Sequence, residues 1–413
     1  MSKSAADVIR AYNAQREPER LAMKMAAMRQ TAFGFMRGSV HLFWQRVAEA
    51  GMPTTAPGAW CCADLHLQNF GTYRGDNGQV YFDLNDFDEA ALAPCDWEIV
   101  RLLTSLLVAA PSYGITKGDA KELAKVTAEA YRAELAGGKV RWIERKTAMG
   151  AIGALMGNLR KRDQGKFLNR RTYIKKGVRK FDLKFPHILA ITDAERGKLK
   201  KFVKALGKAR GDETTFGFLD AARRIAGTGS LGNARYVLLL DGGGSPDHNV
   251  ILDLKAAQPS TIAAHTGLPQ PAWPDDATRI VEVQYRCEAV PPAHLSAVSY
   301  DGKPFVLKEL QPDADRLDLA EIAQDRAALT LALQTMAQLT AWAQLRSSGR
   351  DGSATADQLM AFAAADKGCA ARLVAMARDL AATVQADYTS FCDALDAEIK
   401  AVAPKAAPGT KKV

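Results

Sequence analysis

Apolar positions recur at helical spacing, with few breakers, over residues 4–50, which predicts helix there. Gly51-Met52-Pro53 and Pro57-Gly58 break the pattern. Residues 59–92 read as short strands and loops. Among them Asp76-Asn77-Gly78 is a hairpin-turn signal, flanked by Gly71-Thr72-Tyr73 and Val80-Tyr81-Phe82. Helical patterning returns from Asp96 to about Leu206, broken near Pro186. The character changes near residue 212. Strand signals follow at Tyr236 to Leu240, Val250 to Leu254, Leu295 to Tyr300 and Pro304 to Leu310, with one helix-like stretch, Asp276 to Glu288, among them. From Leu317 to about Ala401 the pattern is helical again. The Pro/Ala/Lys-rich tail, Ala403 to Val413, is expected to be disordered.

This layout predicts an α+β protein in which a small β-rich lobe sits beside a large helical lobe. Residues 1–210 form the first part of the helical lobe, 211–312 the β-rich lobe, 313–402 the remaining helices and 403–413 the tail. No internal repeat is visible.

Composition narrows the class without choosing a function. A chain of 413 residues with 47% hydrophobic and 24% charged residues has enough apolar material for two or three domains. The most apolar stretch, Ile99 to Ala110, is too short to span a bilayer and carries Arg101. Met1 to Arg10 lacks the basic-then-apolar pattern of a signal peptide. The expectation is a cytoplasmic protein with no membrane partner. Six cysteines include no C-x-x-C pair, so reduced structural thiols are expected. A net charge of +9 favours anionic partners in general.

The chemistry concentrates in two places. In the first, Cys62-Ala63-Asp64-Leu65-His66-Leu67-Gln68-Asn69-Phe70-Gly71 sets an Asp and an Asn five apart in a loop. A hairpin follows, then Phe82-Asp83-Leu84-Asn85-Asp86-Phe87-Asp88-Glu89. Phosphoryl transfer needs a carboxylate to accept the proton of the attacking hydroxyl, and hard oxygen ligands to hold magnesium against the phosphates. D-x-x-x-x-N, a hairpin, then D-F-D supplies both in one unit. Asp and Asn also serve ordinary turns, but the combination points to chemistry.

This unit resembles the catalytic loop and metal-binding motif of protein-kinase-like enzymes, especially the aminoglycoside and choline phosphotransferases. There H-G-D-x-H-x-x-N precedes a hairpin and I-D-F-D/E. The resemblance implies that Asp64 is the general base, that Asn69 and Asp86 are magnesium ligands, and that Asp88 is a further ligand. It also implies that Asp96, in Ala93-Pro94-Cys95-Asp96-Trp97-Glu98, braces the catalytic loop. Cys62 stands where that family has its first His, which removes no reacting group.

The second place is Gly227-Thr228-Gly229-Ser230-Leu231-Gly232, a G-x-G-x-x-G pattern. A dinucleotide-binding version must open a helix. Here the β-prone run Arg235 to Leu240 follows, and a glycine loop feeding a strand is the kinase arrangement. Gly227, Gly229, Ser230 and Gly232 are thus candidates to cover the phosphates of ATP, since glycine lets backbone N–H groups approach closely. In period-2 counting Lys255 shares a strand face with Ile251 and Asp253. It looks like the kinase strand lysine that grips phosphates, and Glu282, on the following helix, is the candidate partner that orients it.

In ordinary kinases the glycine loop precedes the catalytic loop, whereas here it follows by about 160 residues. A circularly permuted protein-kinase-like two-lobe fold reconciles the order, because geometry and not chain order defines such a site. Gln311 to Asp315 would then be the hinge. At whole-chain scale the sequence also resembles a bacterial family known as domain of unknown function 2252. The resemblance runs through Phe35-Met36-Arg37-Gly38, Asp64 to Gly71, Asn85 to Glu89, Gly227 to Gly232, Lys255-Ala256 and Arg279 to Gln284. It supports the motifs and implies no substrate.

Residues Arg160 to Lys184 hold eleven Lys or Arg among 25, interleaved with Phe167, Tyr173 and Phe181. They read as a solvated helical face or loop, or as a surface for an anionic partner. The expected function is an ATP- and magnesium-dependent phosphotransferase acting on an unidentified hydroxyl acceptor, small molecule or protein. Nucleotidyl transfer is a second reaction open to the same fold. The alternative from another class is a non-catalytic nucleotide- or nucleic-acid-binding protein that uses residues 160–184.

Overall fold

Four helices open the chain: α1 (Ala5–Tyr12), α2 (Pro18–Gln30), α3 (Ala32–Gly38) and α4 (Val40–Glu49). The long helical stretch is divided by its caps. Pro18 starts α2 at a position where its missing N–H costs nothing. Thr31 adopts extended backbone, ends α2 and caps α3 by accepting from the Gly34 N–H. The structure is a computed structural model that describes residues 4–402 except Thr54, Ser245, Asp366 and Lys367, so the tail 403–413 lies outside the described residues.

Next come β1 (Gly58–Cys61), β2 (Phe70–Arg74), β3 (Val80–Leu84), β4 (Ala91–Pro94) and α5 (Cys95–Ala109). Strands β2 and β3 form the expected hairpin around Asp76-Asn77-Gly78, in register from Phe70↔Leu84 to Arg74↔Val80. Strands β1 and β4 pair at its base. Helices α6 (Lys117–Gly137), α7 (Gly150–Arg160) and α8 (Gln164–Asn169) follow.

Here the sequence reading needs correction. Residues expected to be helical form a second hairpin, β5 (Thr172–Lys175) and β6 (Val178–Phe181). Its two-residue turn, Lys176-Gly177, has φ of +51° and +77°, the geometry that favours glycine and fits a tight antiparallel hairpin. The basic segment 160–184 is therefore not a solvated helix. Arg179 is buried and donates to Asn169, Thr172 and Asp247. Arg162 pairs with Asp315, and Arg171 lies 4.0 Å from the Phe167 ring centroid. Lys161, Lys166, Arg170, Lys175, Lys176 and Lys184 remain exposed.

The remaining elements are β7 (Ile188–Leu189), α9 (Asp193–Arg210), β8 (Phe218–Arg224), β9 (Arg235–Leu240), β10 (Val250–Ala256), α10 (Asp276–Cys287), β11 (Ser296–Tyr300) and β12 (Lys303–Glu309). Helices α11 (Leu319–Ile322), α12 (Arg326–Arg346), α13 (Ala356–Ala365) and α14 (Cys369–Val402) end the chain. Strand β8 carried no sequence signal because its inner residues, Ala221 and Ala222, are small and its end, Arg223-Arg224, is charged.

One antiparallel sheet of six strands runs β11-β12-β10-β9-β8-β7. Alternation assigns its faces. Leu238, Leu240, Leu252 and Leu254 pack with Leu199 and Val203 of α9. Val237, Leu239 and Ile251 pack with Leu168, Phe181 and Ile188. Arg235, Asp253 and Lys255 continue that second face but line a cleft. The largest apolar core joins α3–α7, α10 and α12–α14 with β1–β4. With helix over about half of the chain and strand over about 16%, in separate regions, the fold is α+β. All six cysteines are free thiols. Among the described residues, no helix is long and apolar enough to cross a membrane.

Candidate functional site

The loop between β1 and β2 carries Asp64 and Asn69. Ala63, immediately before Asp64, sits at φ +60°, a left-handed conformation that costs a residue with a Cβ roughly 1–2 kcal/mol. Glu98 of α5 holds it there by accepting from the backbone N–H groups of Cys62 (2.7 Å) and Ala63 (3.2 Å). The brace expected at Asp96 is therefore supplied by Glu98. Asp96 is buried one half-turn away and accepts from Arg372 at 3.1 Å. Two residues apart on a helix, the carboxylates face different neighbours.

Asp64 accepts from Arg101 Nε at 3.0 Å and from a terminal guanidinium nitrogen as well. Arg101 is completely buried under the Phe43 ring, 4.4 Å from its centroid. Burial raises the Asp64 carboxyl above its ordinary value, and the Arg101 charge opposes that shift. The Asn69 amide donates to the backbone carbonyls of Asp64 and Asp86, each at 3.2 Å. One side chain thus ties the loop to the D-F-D segment after β3.

Lys255 comes to the same place from β10. Its ammonium lies 3.1 Å from an Asp86 carboxylate oxygen and 2.5 Å from one of Asp88. Burial opposes ionisation of Asp86, but Lys255 and then Lys308 outweigh it and hold the carboxyl below its usual value. Asp88 moves the other way, raised by burial and by the Asp86 charge. Lys255 is itself held protonated, because the two carboxylates outweigh its burial. Behind it Asp253, 3% exposed, is clamped between Arg224 and Arg235.

The glycine loop joins β8 to β9 and lines the same cleft as Asp64, Asn69, Asp86 and Asp88, through Gly227, Gly229 and Ser230. Gly227 and Gly232 have φ of +73° and +91°, which only glycine adopts without strain. A Cβ on Gly232 would also lie 2.8 Å from Arg16.

Glu282 is not brought to Lys255. It is exposed on α10, two residues from Ile280 and from Gln284, which face the cleft. That is about 200° around the helix. Asp86 and Asp88 hold the ammonium instead. Helix α10 meets the site through Arg279, which donates to the carbonyls of Asp88, Ala90 and Gln258.

The sequence reading missed Glu98 and Arg101, which sit inside an apolar helical run, and Arg16, in the turn before α2, and Lys24 of α2, which reach the glycine loop. For Arg235 a signal existed, since the β9–β10 hairpin places it directly across from Lys255.

Hard oxygen donors at Asn69, Asp86 and Asp88 suit a magnesium ion that takes its other ligands from phosphate and water. Among the described residues, no group of three or more His, Cys, Asp or Glu could hold a metal by itself. No curated protein and no solved structure matches the chain. A family model described as "Uncharacterized protein conserved in bacteria (DUF2252)" matches residues 16–394. With nearly its whole length inside that match, the chain belongs to the DUF2252 family.

Proposed function

We propose that the protein is an ATP- and magnesium-dependent phosphotransferase with a protein-kinase-like two-lobe fold in circularly permuted order. The observation that carries the reading is the contact of Lys255 with Asp86 at 3.1 Å, across 169 residues of sequence. The strand order supports it too. The glycine loop joins the adjacent strands β8 and β9, Lys255 is on the next strand, β10, and a helix follows, as in kinases. An apolar recess beside the loop, lined by Val237, Leu310, Pro312, Phe181 and Phe185, offers a nucleobase a place to stack.

In this reading Asp64 accepts the proton of the acceptor hydroxyl, and Arg101 and the Glu98-braced loop fix its position. Lys255 holds phosphate oxygens beneath the backbone of Gly227 to Gly232. Asn69 and Asp86, with Asp88 beside them, would hold magnesium, which neutralises phosphate charge during transfer.

The test is incubation with ATP labelled at the γ- or the α-phosphate, together with a cell extract. Transfer of γ-label is expected, reduced by about 10²–10⁴ in Asp64→Asn while nucleotide binding persists. Transfer of α-label instead would assign nucleotidyl transfer. Equal labelling by wild type and variant, or none by either, would contradict the proposal.

A further inference from the structure

Helices α2 and α4 and the turn between α1 and α2 bring an unusual group of side chains to the glycine loop. Lys24 is 1% exposed, and its ammonium donates to the Gly229 carbonyl at 3.0 Å. Arg16 donates to the carbonyls of Gly229 (2.7 Å) and Leu231. His41 is 8% exposed, stacks on Tyr12 with ring centroids 3.8 Å apart, and has no hydrogen-bond partner for either ring nitrogen among the described residues. All three side chains line the cleft that holds Asp64 and Gly227 to Ser230.

Lys24 is buried and Arg16 half-buried, and placing a cation against neutral carbonyl oxygens, with the Tyr12 ring and hydroxyl beside Arg16, is costly. The carboxylates acting on Arg16 and Lys24 are Asp64, Asp88 and Glu89. Each of these has another partner: Arg101, Lys255 and Thr261 respectively. Burial correspondingly pushes Lys24 well below the usual lysine value and His41 down to about 3, leaving a neutral ring with one N–H to donate. Among the described residues, no carboxylate forms an ion pair with Arg16 or Lys24.

We infer that Arg16, Lys24 and His41 form a phosphate-binding subsite that the N-terminal helices add to the glycine loop. An ammonium, a guanidinium and an imidazole N–H, set beside a loop of backbone amides, match the several acceptor oxygens of a phosphate group. The group could be carried by the nucleotide or by a phosphorylated acceptor. The subsite stands independently of the proposed reaction; only the choice between those sources rests on it.

The experiment is thermal melting and titration calorimetry of the full chain with inorganic phosphate, ATP and adenosine. Lys24→Met keeps the buried stem and removes the charge. It is expected to raise the melting temperature without ligand and to weaken phosphate binding at least about tenfold. A purely structural lysine would give a lower melting temperature. His41→Leu is expected to weaken phosphate binding without unfolding the protein. If the nucleotide supplies the phosphate, Lys24→Met also weakens ATP but not adenosine, and phosphate adds nothing to ATP-saturated protein. If the acceptor supplies it, ATP binds both forms alike, and phosphate still stabilises the saturated wild type. Phosphate binding that depends on Lys24 in a protein that does not bind ATP would uphold the subsite and sink the phosphotransferase. Absence of phosphate binding, or equal binding by wild type and Lys24→Met, would overturn the inference.

Discussion

Asp83 illustrates how single residues in this chain depart from their sequence neighbours. It lies three residues before Asp86, the start of the D-F-D segment, yet it is 2% exposed and faces inward from β3. Burial raises its carboxyl to about 6, against the opposing charge of Arg346 and two backbone N–H groups. A raised acid is stabilising while protonated, so its contribution is complete below the unfolded value near 4 and is lost as pH rises through about 6. Asp83→Asn should therefore gain stability relative to wild type between pH 4 and pH 8, by up to about 3 kcal/mol. Urea denaturation at both pH values checks this, and a gap independent of pH would contradict it. At this scale the sequence disclosed the proposed reacting groups better than the residues that support them. Asp64, Asn69, Asp86 and Lys255 carry spacing that chemistry demands, whereas a burial-shifted residue such as Asp83 or Lys24 has no local signature.

Elements explain why some candidates met and others did not. The β2–β3 hairpin was legible because Asp76-Asn77-Gly78 fixes its turn and so the register that returns Asp86 toward Asn69. The phase of α10 was not legible at Glu282. Its apolar stripe of Ala277, Ile280, Val281 and Val283 decides which side faces the core, and Glu282 falls outside it. Helix α5 hid two supports of the Asp64 loop, Glu98 and Arg101, inside an apolar run, since every residue from Cys95 to Leu106 is buried. Glu98→Ala leaves the N–H groups of Cys62 and Ala63 without their acceptor. It should destabilise the protein by about 2–4 kcal/mol, with Glu98→Gln much milder because it keeps an acceptor oxygen. Equilibrium unfolding measures both, and a loss below about 0.5 kcal/mol for Glu98→Ala would show that the loop is held otherwise.

For the whole molecule, long-range contacts replace chain order. Arg346 of α12 donates to the Cys287 carbonyl, Gln311 after β12 donates to Thr72 and Asn85, and Arg16 reaches Gly229. These contacts tie together segments that the sequence keeps apart; the meeting of Lys255 with Asp86 follows the order expected from the motifs, whereas the contacts that hold the segments in place had no sequence signal. Strand alternation and helix periodicity report local burial. They carry no information on which helix covers the glycine loop, and the role of α1 and α2 there had no sequence signal. The central claim, that two distant stretches make one metal–nucleotide pocket, is tested most directly by thermal melting with ATP, with and without magnesium. At about 100 times the dissociation constant the nucleotide should stabilise wild type by about 2.7 kcal/mol, only with magnesium present, and the gain should vanish in both Lys255→Met and Asp86→Asn. No gain in wild type, or a gain that survives both substitutions, would contradict it.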